Sequence, residues 1–227
     1  MALLSKISQV LTTDLTKEFK LKKNQFELEK SFVDSIRKCQ PTEVLGKKVH
    51  FSQNYLSALI LEAIKSCPSI QGLNALRCII VYNTSHQKFW NLVEQQQRQH
   101  IPQHLFDATT HKIKGYKDAF GTILFFEDQT ALQQLAKKFP LQAEYHGFWS
   151  TQSLGMSALA VWSTLADIGL GVNHLQYTGL DQRLDQELSV PLDWTLKSQL
   201  VFGSIEQVGQ APTTTMTFQT EHCVVLN

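Results

Sequence analysis

Four polar residues stand at a spacing that could hold a metal ion. His100, His104, Asp107 and His111 would share one face if their stretch were helical, and imidazole and carboxylate are zinc ligands. Pro102 interrupts the stretch and its surroundings are polar, so a solvated, histidine-bearing loop is expected and no metal. The four cysteines, Cys39, Cys67, Cys78 and Cys223, form no C-x-x-C pair and read as small apolar groups rather than nucleophiles. The sequence holds no phosphate-binding G-x-x-x-x-G-K-[ST], no G-x-S-x-G elbow and no H-E-x-x-H. Gly169-Leu170-Gly171 lacks a third glycine and follows a helical pattern rather than a strand, which makes it a poor dinucleotide fingerprint. A basic pair, Arg37-Lys38, could meet an anion, or could simply be a solvated turn at a helix end.

The elements that would carry such residues follow from the hydrophobic pattern. Ser52 is a helix cap before an apolar face of Leu56, Leu59, Ile60, Ala63 and Ile64, and Cys67-Pro68 must end that helix because a residue before proline avoids the helical region. Residues 77–82, 121–126, 172–177 and 196–202 read as strands. Residues 121–126 form an unbroken apolar run, as in a strand covered on both faces. A short helix is expected from Ser85, a mobile polar segment from Gln95 to His111, a polar helix ending at Phe139-Pro140, and another helix over Asp181–Val190. The longest helix is expected over about Ala143–Ile168. Its middle, residues 153–162, is apolar nearly all round and rich in small residues, so it should be buried on every side at the core of a domain or a dimer. Gly169 would end it in a left-handed cap. Helices alternating with strands around a mixed sheet give a layered α+β or α/β domain. Residues 1–30 carry Leu3, Ile7 and Phe19 at roughly helical spacing and read as a helical arm ahead of a domain over 31–227.

A chain of 227 residues is long enough for one substantial core. It is also too large to need a disulfide framework. Lys plus Arg number 21 against 20 acids, a net charge of +1 that favours neither nucleic acid nor an anionic membrane as partner. No apolar run approaches the roughly 20 residues of a membrane span. The start of the chain has no signal-peptide core, and a cytoplasmic protein is the expectation.

The segments Ser35-Ile36-Arg37-Lys38-Cys39, Cys67-Pro68-Ser69, Gly121–Asp128 and Gly169-Leu170-Gly171 come in the order and rough spacing of one family. Phe148–Met156 and Trp194-Thr195-Leu196-Lys197 narrow the match. Together they resemble the nitroreductase-like FMN flavoproteins, in the subgroup of the fungal fatty-acid-response nitroreductase and its bacterial relatives, over about residues 31–204. The resemblance implies an α+β three-layer α/β/α fold with a mixed central sheet, and a homodimer that buries the long central helix at its core and holds FMN between subunits. It implies ping-pong transfer of reducing equivalents from NAD(P)H to nitroaromatic or quinone-type acceptors, with no catalytic acid–base residue.

By the same resemblance the cofactor contacts are Arg37, Lys38 and Cys39 near the phosphate or pyrimidine, and Pro68, Ser69, Gly72 and Asn74 in the loop against the flavin. Leu175 and Gln176 would lie beside its reactive side, and Gly203 and Ser204 by the phosphate. Asn74 offers an amide that matches the mixed donors and acceptors of the pyrimidine edge. For Leu175 and Tyr177 plain core packing is the competing reading. Tyr145, Phe148 and Trp149, with the Gln95–His111 stretch, are the expected wall of the acceptor site. Three positions depart from the family pattern: Cys39 stands where Ser or Thr is usual, Gly72 replaces an Asn, and Ser204 replaces a Lys or Arg. A lost charge-assisted bond costs on the order of 1.5–3 kcal/mol, a roughly ten- to hundredfold loss of affinity, which Lys197 or an arm residue would have to offset. These departures leave a second function open: a non-catalytic ligand- or flavin-binding protein on the same scaffold.

Overall fold

The computed structural model describes residues 32–72 and 74–207, so the expected arm over residues 1–30 and Cys223 lie outside the described residues. The chain divides into two units at Lys38 and Cys39. In the first, helix α1 (Phe32–Arg37) has the Arg37 guanidinium 2.7 Å from Asp34 Oδ1, one turn earlier.

The second unit is built on five strands: β1 (Val44–Gly46), β2 (Leu76–Tyr82), β3 (Gly121–Asp128), β4 (Gly171–Leu175) and β5 (Trp194–Gln207). Their order is β1-β5-β3-β2, with β4 also paired to β5. All the strand pairings are antiparallel, and the parallel component expected of a mixed sheet is confined to one bridge, Pro41 to Val172. Every residue of β3 is buried, as its unbroken apolar run requires. Ile123 and Phe125 point into one core and Leu124 and Phe126 into the other, the two-residue alternation of a strand covered on both faces. A bulge at Phe125/Phe126 pairs Phe126 with Leu196 and Phe125 with Ser198. The extra residue opposite it reverses the alternation of β5, so Leu196 joins the same core as Val201.

Helices cover both faces. One core receives α2 (Gln53–Ser66) and α6 (His146–Asp167); the other receives α3 (Asn83–His100), α4 (Gln103–Lys117) and α7 (Asp181–Leu188). Ser52 Oγ accepts from Tyr55 N at 3.2 Å to cap α2, and Cys67 turns extended ahead of Pro68, as the sequence demands. Helix α5 (Gln129–Lys138) is capped by Asp128 Oδ1, which accepts from Ala131 N at 2.8 Å. Gly169, at φ +83°, follows α6 in the left-handed conformation.

The expectation of a mobile polar loop over Gln95–His111 is wrong: α3 continues to His100 and α4 begins at Gln103. The break between them is confined to Ile101-Pro102. Ion pairs from Glu94 to Arg98 and Lys117 hold the two helices, and Gln96 Nε2 donates to the carbonyls of Thr178 and Gly179. Apart from Arg98, one turn along α3, these partners are distant in sequence and leave no periodic signature. His104, Asp107 and His111 do share a helix, but among the described residues no cluster of His, Cys, Asp or Glu could hold a metal.

Helix α6 buries Ser150, Ser153, Leu154, Ser157, Ala158, Val161 and Leu165 against the sheet. Among the described residues, nothing fully covers its opposite side. Phe148 is 62% exposed, Leu159 38% and Met156 36%, an apolar stripe with successive spacings of eight and three residues.

Candidate functional site

The expected flavin contacts fall into separate clusters. At one end of the sheet, Gly203 pairs with Gly171 and Ser204 with Gly46. Gly203 is glycine for a structural reason: a Cβ there would stand 2.2 Å from the Gly46 carbonyl oxygen. Ser204 Oγ accepts from Lys48 N at 3.0 Å and donates to Glu206 Oε1 at 2.8 Å, and Lys48 Nζ lies 3.4 Å from Glu206 Oε2. The Ser204 hydroxyl and the Lys48 ammonium hold the Glu206 carboxyl below the usual carboxylate range. Residues 39–42 run alongside: Thr42 N donates to Val172 O, and Cys39 shares a hydrogen bond with Ser163 near the end of α6. Burial pushes the Cys39 thiol up, and the Asp167 carboxylate adds to the shift, so this cysteine is a neutral thiol at pH 7 and no nucleophile.

A second cluster contains Pro68, Ser69, Gly72 and Asn74, all exposed. Ile70 N donates to Ser153 Oγ at 3.1 Å, which docks this loop on the first half of α6. Gly72 has φ +68°, a conformation that disfavours a side chain, and open space lies where its Cβ would be. Arg77 holds the end of the loop. Its guanidinium donates to Asn74 O at 3.1 Å and Leu76 O at 3.0 Å, and pairs with Asp128 Oδ2 at 2.7 Å.

Leu175 pairs with Gln199 on β5, between the two ends. The buried Gln199 accepts from Tyr177 N through Oε1 and donates to Tyr177 O through Nε2, each at 2.8 Å, which fixes the segment carrying Leu175 and Gln176. Tyr145 stacks on Trp149 with ring centroids 5.9 Å apart, and Phe148 stands exposed beside them. Arg37 and Lys38 belong to the first unit.

One protomer therefore does not gather the set. Asn74 sits where Ala75 O accepts from Asp128 N, and Asp128 pairs with Trp194, whereas Gly203 lies nine residues further along β5. At about 3.3 Å per residue that separation is roughly 30 Å. The same split shows on α6, where Ser153 and Ser163, anchors of the two clusters, are ten residues or roughly 15 Å apart. Lys197 does not replace the cation missing at Ser204. Its ammonium is 2.9 Å from Glu127 Oε2, and it stands seven residues, roughly 23 Å, up the strand. Lys48 is the cation beside Ser204. Gln199, Arg77 and Lys48 were missed by sequence reasoning; the amide of Gln199 inside the apolar run of β5 was the one available signal.

The donor set suits FMN in chemistry. Open backbone at Gly72 and the exposed Asn74 amide offer a face and an edge for a planar heterocycle, and Ser204 with Lys48 offers a hydroxyl and an ammonium to a phosphate. The sequence profile of the nitroreductase family matches residues 56–204, about two thirds of the chain. The chain belongs to the nitroreductase family. Membership makes it one of a family of oxidoreductases that is flavin-dependent in general. It is 27% identical over 141 residues to nitroreductase FRM2 of Saccharomyces cerevisiae, covering 62% of this chain and 69% of that one. Its structure resembles nitroreductase CinD from Lactococcus lactis in complex with chloramphenicol, at 31% identity, 87% and 100% coverage and a TM-score of 0.76. A nitroreductase with bound FMN from Desulfitobacterium hafniense DCB-2, 14% identical over 85% of this chain and 98% of that one, shares the fold at a TM-score of 0.60. The expected α+β three-layer fold is borne out by these neighbours and by the helices on both sheet faces. Among the described residues no helix is long and apolar enough to cross a membrane.

Proposed function

We propose that this nitroreductase-family chain works as a homodimer that binds FMN between its subunits. It takes reducing equivalents from NAD(P)H and passes them, in ping-pong order, to nitroaromatic or quinone-type acceptors. The observation that carries this reading is the separation of the two contact clusters by roughly 30 Å of strand, together with the uncovered apolar stripe on α6. A twofold axis along that stripe would bring the Pro68–Asn74 loop of one copy to the Ser204 end of the other. Covering the parts of Phe148, Met156 and Leu159 still exposed (62%, 36% and 38%) would stabilise such a pair by about 2–4 kcal/mol per copy in all, full burial of one such side chain being worth about 1.5–3 kcal/mol.

Bound FMN supplies two-electron carrier chemistry. In this chain Asn74, its backbone held by Arg77, would read the pyrimidine edge. Ser204 would meet the phosphate, with Lys48 in place of the missing cation. Leu175 and Gln176, fixed through the Gln199–Tyr177 bonds, would lie against the ring, and Tyr145, Phe148 and Trp149 would wall the acceptor site and exclude water. The Glu206 carboxylate beside Ser204 favours a second reading, a binding protein whose phosphate end is occupied by its own acid.

The two readings separate in an anaerobic absorbance titration. An enzyme retains FMN through gel filtration, is bleached by NADH or NADPH, and regains its bands on adding a quinone or nitroaromatic. A protein that keeps FMN but is bleached by neither nucleotide, or that keeps none, is not this oxidoreductase.

A further inference from the structure

The proposed phosphate end of the sheet already holds an anion, and the register of β5 puts it there. Pairing with β1 slips by one residue: Leu45 faces Ile205 and Val44 faces Gln207, so Glu206 faces no residue of β1. Such a bulge re-aims the side chain it frees. Glu206 folds back over Gly46, where the missing side chain makes room; a Cβ there would stand 2.5 Å from Glu206 Cγ. The carboxylate thereby takes both side-chain groups that Ser204 and Lys48 could offer a phosphate. Glu206 Oε1 accepts from the Ser204 hydroxyl at 2.8 Å, and Oε2 accepts from the Lys48 ammonium at 3.4 Å. Lys48 N donates to the same hydroxyl oxygen at 3.0 Å, which leaves the Ser204 proton for the acid. A carboxylate can only accept, and it repels a phosphate, so the two anions exclude each other here. The hydroxyl that ends an unphosphorylated flavin tail donates instead and meets no such conflict.

We infer that Glu206 determines cofactor specificity by competing with the flavin phosphate for Ser204 and Lys48. FMN must displace this acid to engage them, whereas riboflavin, which has no phosphate, need not. The site therefore discriminates little between the two flavins. The inference rests on the reading that Ser204 faces the flavin tail, but the competition itself can be measured with phosphate alone.

Glu206→Gln keeps the shape of the side chain and removes its charge, and the purified full chain carries the test. In fluorescence titrations the parent should bind FMN and riboflavin within about tenfold of each other, and the variant should bind FMN about tenfold tighter or more. Riboflavin should stay within about twofold of the parent, because it gains no charged contact. Inorganic phosphate, added without flavin and followed by phosphorus NMR, should also bind the variant about tenfold tighter. Glu43→Gln removes an exposed carboxylate just before β1 and should change none of these affinities. A gain for phosphate when neither protein binds flavin would uphold the competition and remove the flavin reading. Unchanged affinity for phosphate, unchanged affinity for FMN in a variant that binds it, or an equal gain in Glu43→Gln overturns the inference.

Discussion

Gln199 and Tyr177 exchange two hydrogen bonds of 2.8 Å, side-chain amide to backbone amide, across the gap between β5 and the segment that leaves β4. A glutamine amide reproduces the donor–acceptor pair of a strand neighbour, so Tyr177 is held as though the ladder continued after β4 ends at Leu175. Leu175 and Gln176 inherit their position from this clamp.

Replacing Gln199 by Ala leaves the Tyr177 N–H and C=O without these partners. The expected cost is about 2 kcal/mol, the scale of two half-buried polar groups losing their bonds, read as a lower urea midpoint at unchanged m-value. FMN affinity should fall as well, in a fluorescence titration carried out far below that midpoint. A variant that is destabilised yet binds FMN as tightly as the parent would show that the segment after β4 plays no part in the flavin site.

The fold was largely legible because its strands and their covering helices follow local periodicity. The buried run of β3, the Ser52 cap, the Cys67-Pro68 stop and the Gly169 cap each depend on a few adjacent residues. The segment from Gln95 to His111 was misread because its helices are held by Glu94, Gln96 and Lys117 reaching partners far along the chain or beyond the Pro102 break. Strand β1 was invisible for a similar reason: three residues whose pairing partners lie some 160 positions away carry no alternation to detect. The candidate site was legible only through the family pattern. That its contacts fall into two sets at opposite ends of β5 is a matter of strand register, which composition does not record.

Stability should fall with acid because of His86. Trp90 Nε1 donates to Thr122 Oγ1, Thr122 stands 3.0 Å from His86 Nδ1, and His86 Nε2 stands 3.0 Å from the Tyr116 carbonyl. A carbonyl can only accept, so Nε2 carries the proton and Nδ1 accepts from the Thr122 hydroxyl, which requires a neutral ring. Burial lowers the His86 pKa to about 4. The unfolded chain therefore binds the proton first as pH falls. Full stability holds above about pH 6.5 and is lost progressively between there and about pH 4, by on the order of 3 kcal/mol. Urea midpoints across that range should drop less in His86→Gln than in the parent; parallel curves would remove His86 as the cause.

The stripe on α6 should govern assembly. Leu159→Glu places a carboxylate where a second copy is proposed to pack, and burying an unpaired charge there costs several kcal/mol. Light scattering should show a dimer for the parent and a monomer for the variant, with flavin lost in step. Leu159 is already partly exposed within one chain, so the variant should stay folded by circular dichroism. A dimeric Leu159→Glu protein would place the interface elsewhere.

The most direct test is to mix two half-sites. Asn74→Leu disables the loop cluster and Ser204→Asp the opposite end of the sheet, and each homodimer should lose FMN on gel filtration. In a shared site, a heterodimer made by co-expressing the two variants has one site carrying both defects and one carrying neither. Flavin absorbance should therefore return in the co-expressed sample, at about a quarter of the parent's occupancy if subunits pair at random. No recovery, with heterodimers shown to be present, would mean that each FMN is held within one chain and would contradict the shared site.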